Sequence, residues 1–226
     1  MFLKIGHRGA CGYEPENTLA SFSRALELGV DMVEFDVHIC RSGEPVVIHD
    51  SRLERTTSGK GYVADKSLDE LRSLDAGNGE RIPLLTEVLD LVQHSADVNI
   101  ELKGPGAAGP VDRIIRSCIS SGEWSTENFL VSSFDHYELR AFSELNPGIN
   151  LGALITGIPI GYAEFARNLG AYSVNLSREF INSDFISDAH ESGLKVLVYT
   201  VNEPDEIKLF RDMGVDGIFS NFPDRL

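Results

Sequence analysis

The chain is short of cysteine, of positive charge and of long apolar runs, and each shortage closes a route. Its 226 residues include three cysteines, Cys11, Cys40 and Cys118. An odd number with no CxxC spacing fits neither a disulfide framework nor a zinc site, and it favours a reducing compartment. Lys and Arg number 20 against 35 Asp and Glu, a formal charge of −15. Phosphate backbones and anionic membranes repel such a chain, so no nucleic-acid partner is expected; an anionic small substrate needs local cations or a metal. No run approaches the ~20 apolar residues of a membrane span, so no stable membrane insertion is expected either. The opening MFLKIGHRGA is too short in its apolar part for a signal-peptide core. A cytoplasmic location is the expectation. Neither GxGxxG nor a phosphate loop occurs, which counts against the nucleotide-binding doubly wound folds.

What is present is a globular composition, 42% hydrophobic and 24% charged, long enough to bury a sizeable core without staples. Eight short β-rich runs alternate with helical-period segments. They are Phe2–His7, Met32–Val37, Asp97–Leu102, Asn128–Ser133, Asn150–Ile155, Ala171–Leu176, Lys195–Thr200 and Asp216–Ser220. This is the pattern of an α/β fold built from repeated strand–helix units, and eight strands close a (β/α)8 TIM barrel. Asn17 or Thr18 is placed to cap the first helix and Asp135 a later one. Gly29, Gly122, Gly170, Gly193 and Gly214 fall near helix ends, where a left-handed residue is wanted. The chain is expected to be a single barrel domain, 1–226.

One stretch breaks the rhythm. A further strand-like run, Pro45–His49, follows the second strand after too few residues for a parallel crossover, so the two must form a hairpin. A turn centred between Ser42 and Gly43 would place Asp36 opposite His49. Together with the Gly-, Ser- and Asp-rich sequence after it, this is a small insertion at about 38–82, not a second domain.

In a barrel of this kind the chemistry lies at the C-terminal strand ends and the loops after them. His7 and Arg8 end the first strand, Glu34 and Asp36 lie two apart on the second, and Glu101 and Lys103 two apart on the third. Strand alternation puts each pair on one face. Glu34, Asp36 and Glu101 form a hard-oxygen set suited to one divalent metal ion, Mg2+ or Ca2+, with Mn2+ also acceptable. His7 and His49 are suited to general acid–base work near neutral pH, and Arg8 and Lys103 to binding an oxyanion. Phosphoryl transfer or phosphodiester cleavage is the chemistry these groups share.

The same residues resemble a known family, the glycerophosphodiester phosphodiesterases. HRGACGYEPENTLASF at His7–Phe22 is similar to that family's opening motif, and VEFDVHICRSGEPVVIHDSRLERTT at Val33–Thr57 to its second. IELK at Ile100–Lys103, VSSFD at Val131–Asp135 and the segment Val198–Pro223 continue the likeness over essentially the whole chain. The resemblance implies metal-dependent hydrolysis of small glycerophosphodiesters, such as glycerophosphocholine or glycerophosphoethanolamine, to glycerol 3-phosphate and an alcohol. It implies metal ligation by Glu34, Asp36 and Glu101, acid–base roles for His7 and His49, and phosphate binding by Arg8 and Lys103. The chain departs from the pattern at SNFP, Ser220–Pro223, where Asn221 replaces a usual Asp, and at Tyr199, where Trp is frequent.

Glu16, Tyr199 and Phe219 are candidates for the substrate pocket, with Phe180 beside them; Glu16 and Asn17 compete with this as ordinary helix-start residues. The remaining histidines, His38, His94, His136 and His190, read as satisfied structural residues, and Cys11 as a small packing residue. Lysophospholipase D activity and a non-catalytic binding barrel are the alternative functions. The sequence carries no signal for an oligomeric state.

Overall fold

The computed structural model describes residues 2–226. Nine strands run in chain order: β1 Leu3–His7, β2 Met32–Ile39, β3 Pro45–Val47, β4 Asp97–Leu102, β5 Phe129–Ser133, β6 Asn150–Ile155, β7 Ser173–Ser177, β8 Lys195–Tyr199 and β9 Gly217–Ser220. Eight of them pair in parallel and close a ring, β1 bonding to both β2 and β9, while β3 lies outside it. The helices are α1 Leu19–Glu27, α2 Leu68–Arg72, α3 Leu85–Val92, α4 Ala108–Ser121, α5 His136–Leu145, α6 Glu164–Asn168, α7 Ser183–Glu191 and α8 Pro204–Met213. After β9 only a 3-10 turn, Pro223–Arg225, follows.

Local chemistry sets the helix ends. Thr18, not Asn17, caps α1 by accepting from the Ser21 amide, and Asp135 caps α5 by accepting from the amides of Tyr137 and Glu138. Gly122 and Gly214 end α4 and α8 in the left-handed conformation. The outward strand faces and the inward helix faces form the main core, with Phe22 and Phe35 edge to face at 5.6 Å. Inside the ring, Ile5, Met32, Leu130, Leu197 and Phe219 fill the barrel. These interior side chains make a packed floor beneath the C-terminal mouth.

The insertion runs between β2 and α3 and has a small core of its own, including Cys40, Val46, Ile48, Leu53, Val63 and Leu71. The hairpin forms, but its register differs by one residue from the sequence expectation. Ile39 pairs Pro45, His38 pairs Val46 and Val37 pairs Val47. The turn is a three-residue loop, Arg41–Gly43, closed by a bond from the Cys40 amide to the Glu44 carbonyl. Gly43 takes a φ of 99°, the left-handed position such loops require, and this moves the centre of the turn to Ser42. The register alone would set His49 opposite Phe35, on the outer face. The last ladder bond is Ile48 N–H to the Asp36 carbonyl. Beyond it the chain bends, and the bend returns the His49 ring to the mouth.

Candidate active site

The first loop is folded hard against α1. Arg8 and Gly9 both have positive φ, 51° and 81°. Any Cβ at Gly9 would lie 2.6 Å from the Ser21 carbonyl group, so glycine is required there. Ser21 Oγ donates to the Arg8 carbonyl and the Ala10 amide to the Ser21 carbonyl. The Arg8 guanidinium is thereby held over the mouth, 2.9 Å from Glu16 and 3.3 Å from Asp36. Its backbone amide donates to Glu34 Oε2 at 2.8 Å.

Strand register assembles the carboxylates. His7 is level with Glu34, and Asp36 with Glu101, so Glu34, Asp36 and Glu101 bring oxygens within 4.8 Å of one another in a buried position. Three buried acids at that spacing repel, and their proton affinities separate. Burial, then the charges of Asp36 and Glu101, push Glu34 well above the usual carboxylate range. Burial and Asp36 push Glu101 up to about 7. Burial alone would raise Asp36 too, but Arg8, His49, Lys103 and Asn17 outweigh it and hold Asp36 below its ordinary value. The buried Asp36 Oδ1 has no hydrogen-bond partner. An unsatisfied buried carboxylate oxygen among three acids fits a divalent cation of hard-oxygen preference.

Around this triad stand the other groups. Lys103 Nζ lies 2.7 Å from Glu101, 3.7 Å from Asp36 and 3.2 Å from His49 Nε2. His49 Nδ1 is bonded to Asp50 at 2.6 Å, and Arg55 grips both Asp50 and Glu16. His7 Nδ1 is bonded to Asn221 Oδ1 at 2.7 Å. Burial, and then the Arg8 charge, drive His7 down to about 4. Its ring is therefore neutral at pH 7.

Six of these side chains line one cavity of about 150 Å3, and Asp36 lies buried beside Glu34 and Glu101. One wall is polar, with His7, Arg8, Glu34, His49, Glu101 and Lys103; the other is apolar, with Phe134, Leu154, Tyr199 and Phe219. A larger open cleft of about 470 Å3 lies at the opposite end of the barrel, where Asp31 and Asp97 are occupied by the Lys4 amide and by Asn128. It gathers no comparable set of reactive groups.

A family model for glycerophosphoryl diester phosphodiesterases matches residues 7–225. The chain belongs to this family. Among curated relatives, the glycerophosphodiester phosphodiesterase of Caldanaerobacter subterraneus subsp. tengcongensis is 35% identical over 233 residues, covering 99% of this chain and 96% of the relative. That of Bacillus altitudinis is 36% identical over 233 residues, covering 98% and 95%. A phosphodiesterase of Oleispira antarctica, solved in complex with the product sn-glycerol-3-phosphate, superposes with a TM-score of 0.90 at 32% identity, covering 98% of this chain and 93% of its own.

In this glycerophosphodiester phosphodiesterase the structure brings together the seven residues singled out from the sequence, and Tyr199 and Phe219 line the same cavity. Glu16 does not line it. Glu16 is instead bonded by two guanidiniums, those of Arg8 and Arg55, and Arg55 draws it away from the cavity. Phe180 is also outside the cavity lining. Three residues gained importance from the structure. Asn17 clamps Asp36, Phe134 carries Lys103 over its ring at 5.6 Å, and Asn221 holds His7. In the sequence Asn17 stood out only as a helix-start residue and Asn221 only as a departure from the family motif, and Phe134 carried no signal beyond its place after a strand end.

Proposed function

We propose that the chain hydrolyses small glycerophosphodiesters, such as glycerophosphocholine and glycerophosphoethanolamine, to glycerol 3-phosphate and the free alcohol. The observation that carries the reading is one cavity lined by two histidines, two cations and two acids, Glu34 and Glu101, with the buried Asp36 clustered against those acids. The whole chain acts as one catalytic unit, to which the insertion at about 38–82 contributes His49.

Glu34, Asp36 and Glu101 would hold one divalent ion, Mg2+, Ca2+ or Mn2+. When bound, that ion supplies charge neutralisation at a nonbridging phosphate oxygen and acidifies the nucleophile. Arg8 and Lys103 face the remaining phosphate charge. His7, neutral, accepts the proton of the attacking hydroxyl at Nε2 as the new P–O bond forms. His49, held at Nδ1 by Asp50, acts as an imidazolium, giving its Nε2 proton to the departing alcohol oxygen as the old P–O bond breaks, with Lys103 turned from Nε2 to the phosphate. The attacking group is water or the glycerol 2-hydroxyl, the latter giving a cyclic phosphate that water then opens.

Phe134, Leu154, Tyr199 and Phe219 offer the carbon skeleton an apolar wall. A second reading, hydrolysis of lysophospholipids, is favoured by the exposure of Ile158 and Ile160, 46% and 106%, on the loop after β6. That loop adjoins the wall through the bond between Thr156 and Tyr199. A binding barrel without turnover would be expected to lack a ligand or a histidine, and here every one is present. No described helix is long and apolar enough to cross a membrane. Three free cysteines support a cytoplasmic setting.

The test is choline release from glycerophosphocholine, with glycerol 3-phosphate as the co-product, and from lysophosphatidylcholine, with lysophosphatidate as the co-product, after chelation and then with Mg2+, Ca2+ or Mn2+ restored. Metal-restored release from the first substrate supports the main reading. Turnover of the second alone moves the substrate to the lipid class, and no turnover of any diester under these conditions overturns both.

A further inference from the structure

We propose that Asn221 is a positioning residue: it fixes His7 in the Nδ1–H tautomer and so leaves Nε2 as the proton acceptor in the mouth. The proposal rests on the diesterase reading only for the consequence at turnover; the tautomer itself is a property of the free protein.

Two donors converge on one atom. His7 Nδ1 lies 2.7 Å from Asn221 Oδ1, and Cys11 Sγ lies 3.1 Å from the same atom. A buried thiol, pushed up to about 12 chiefly by desolvation, keeps its hydrogen, and here it donates that hydrogen to Asn221 Oδ1, sulfur being the weaker acceptor of the two. The amide end that faces Cys11 is then the oxygen, an acceptor, and the His7 nitrogen beside it must carry the hydrogen. A neutral imidazole has one N–H, so Nε2 holds the free lone pair.

The asparagine is itself held. Its backbone amide donates to Asn202 Oδ1 at 2.9 Å, and its carbonyl accepts from the Gly12 amide at 2.9 Å. Ser220 Oγ donates to Asn202 Oδ1 and accepts from the Phe222 amide. Gly12 permits the close approach, since a Cβ there would meet the Phe222 ring at 2.3 Å. Asn221 thus sits on a pinned segment, and its side chain gives His7 a fixed acceptor without adding a charge.

The test reads the tautomer directly, from the imidazole nitrogen shifts of 15N-labelled protein at neutral pH, with His7 assigned by loss of its signals in H7Q. In the wild type, Nδ1 is expected at the protonated position and Nε2 at the unprotonated one. N221D is the decisive variant, because a carboxylate offers no N–H to His7: the tautomer is expected to persist, with kcat retained to a large degree. In N221A the Nε2–H form is expected to gain population, and kcat to fall about 10- to 100-fold with KM within about twofold. An Nε2–H ring in the wild type, or a tautomer reversed in N221D, overturns the proposal even if N221A does not fold. Unchanged tautomer and kcat in a folded N221A overturn it as well. Wild-type protein that shows the Nδ1–H ring yet turns over no diester leaves the positioning standing and removes the diesterase reading.

Discussion

Asn17 Nδ2 donates to Asp36 Oδ2 at 2.9 Å, and Asn17 Oδ1 accepts from the Asp36 amide at 3.3 Å. The side chain thus grips one buried acid at both its carboxylate and its backbone, from a residue at a φ of 58°. Removing it strips a buried carboxylate of a neutral donor, and Asn17→Gly, which tolerates that φ, isolates the side-chain effect. The expected loss is about 1–3 kcal/mol of stability, together with weaker binding of Mg2+ or Ca2+. Denaturant unfolding and titration calorimetry check the two separately.

The histidines are expected to matter in the chemical step. His7→Ala and His49→Ala should each lower kcat by about 10²–10⁴-fold, with the fold intact by circular dichroism. Wild-type rates in both single variants would remove them from the mechanism.

Stability of the metal-free protein should depend on pH in a particular window. His7 protonates at about 4 in the folded chain and at 6.5 when unfolded, so its contribution rises with pH and is complete above about 6.5. Glu101 behaves oppositely. It keeps its proton up to about 7 when folded but only to 4.5 when unfolded, and Glu34 is displaced in the same direction. Above pH 6.5 the folded state therefore binds more protons than the unfolded one, and stability falls as pH rises toward 8. Each kcal/mol lost lowers Tm by about 2–4 °C in a domain of this size. Thermal melts of chelated protein are expected to show that decline, with Glu101→Gln or an added divalent ion reducing it.

Gly9→Ala tests the first loop. The new methyl would meet the Ser21 backbone at 2.6 Å and force a φ of 81° on alanine. The strain of that backbone alone costs about 1–3 kcal/mol. Arg8 would move with the loop, so an elevated KM for the diester is expected besides a lower Tm. A variant with unchanged KM would show that Arg8 is held by other means.

The barrel was legible because strand and helix periods are local: all eight ring strands begin and end within two residues of the runs read from the sequence. The site was legible for a related reason. Strand alternation and the C-terminal rim place Glu34, Asp36, Glu101, His7 and Lys103 without knowledge of long-range packing. What escaped depended on a single backbone angle or on distant partners. Gly43 in its left-handed conformation moved the hairpin by one residue, and only the bend after Ile48 brought His49 back. Glu16 was drawn away by Arg55, 39 positions on, and nothing local in the sequence announces that pairing.

The bond between His7 and Asn221 spans 214 positions. Asn221 follows His7 in the chain by the whole ring, since β2 to β9 all lie between them. The acceptor that orients His7 arrives only with the segment after β9, the strand that seals the barrel against β1. Chains shortened before Asn221 would keep Glu34, Asp36, Glu101, His7 and His49, yet leave His7 without that partner. Closing the ring and supplying His7 with its side-chain partner are then one event.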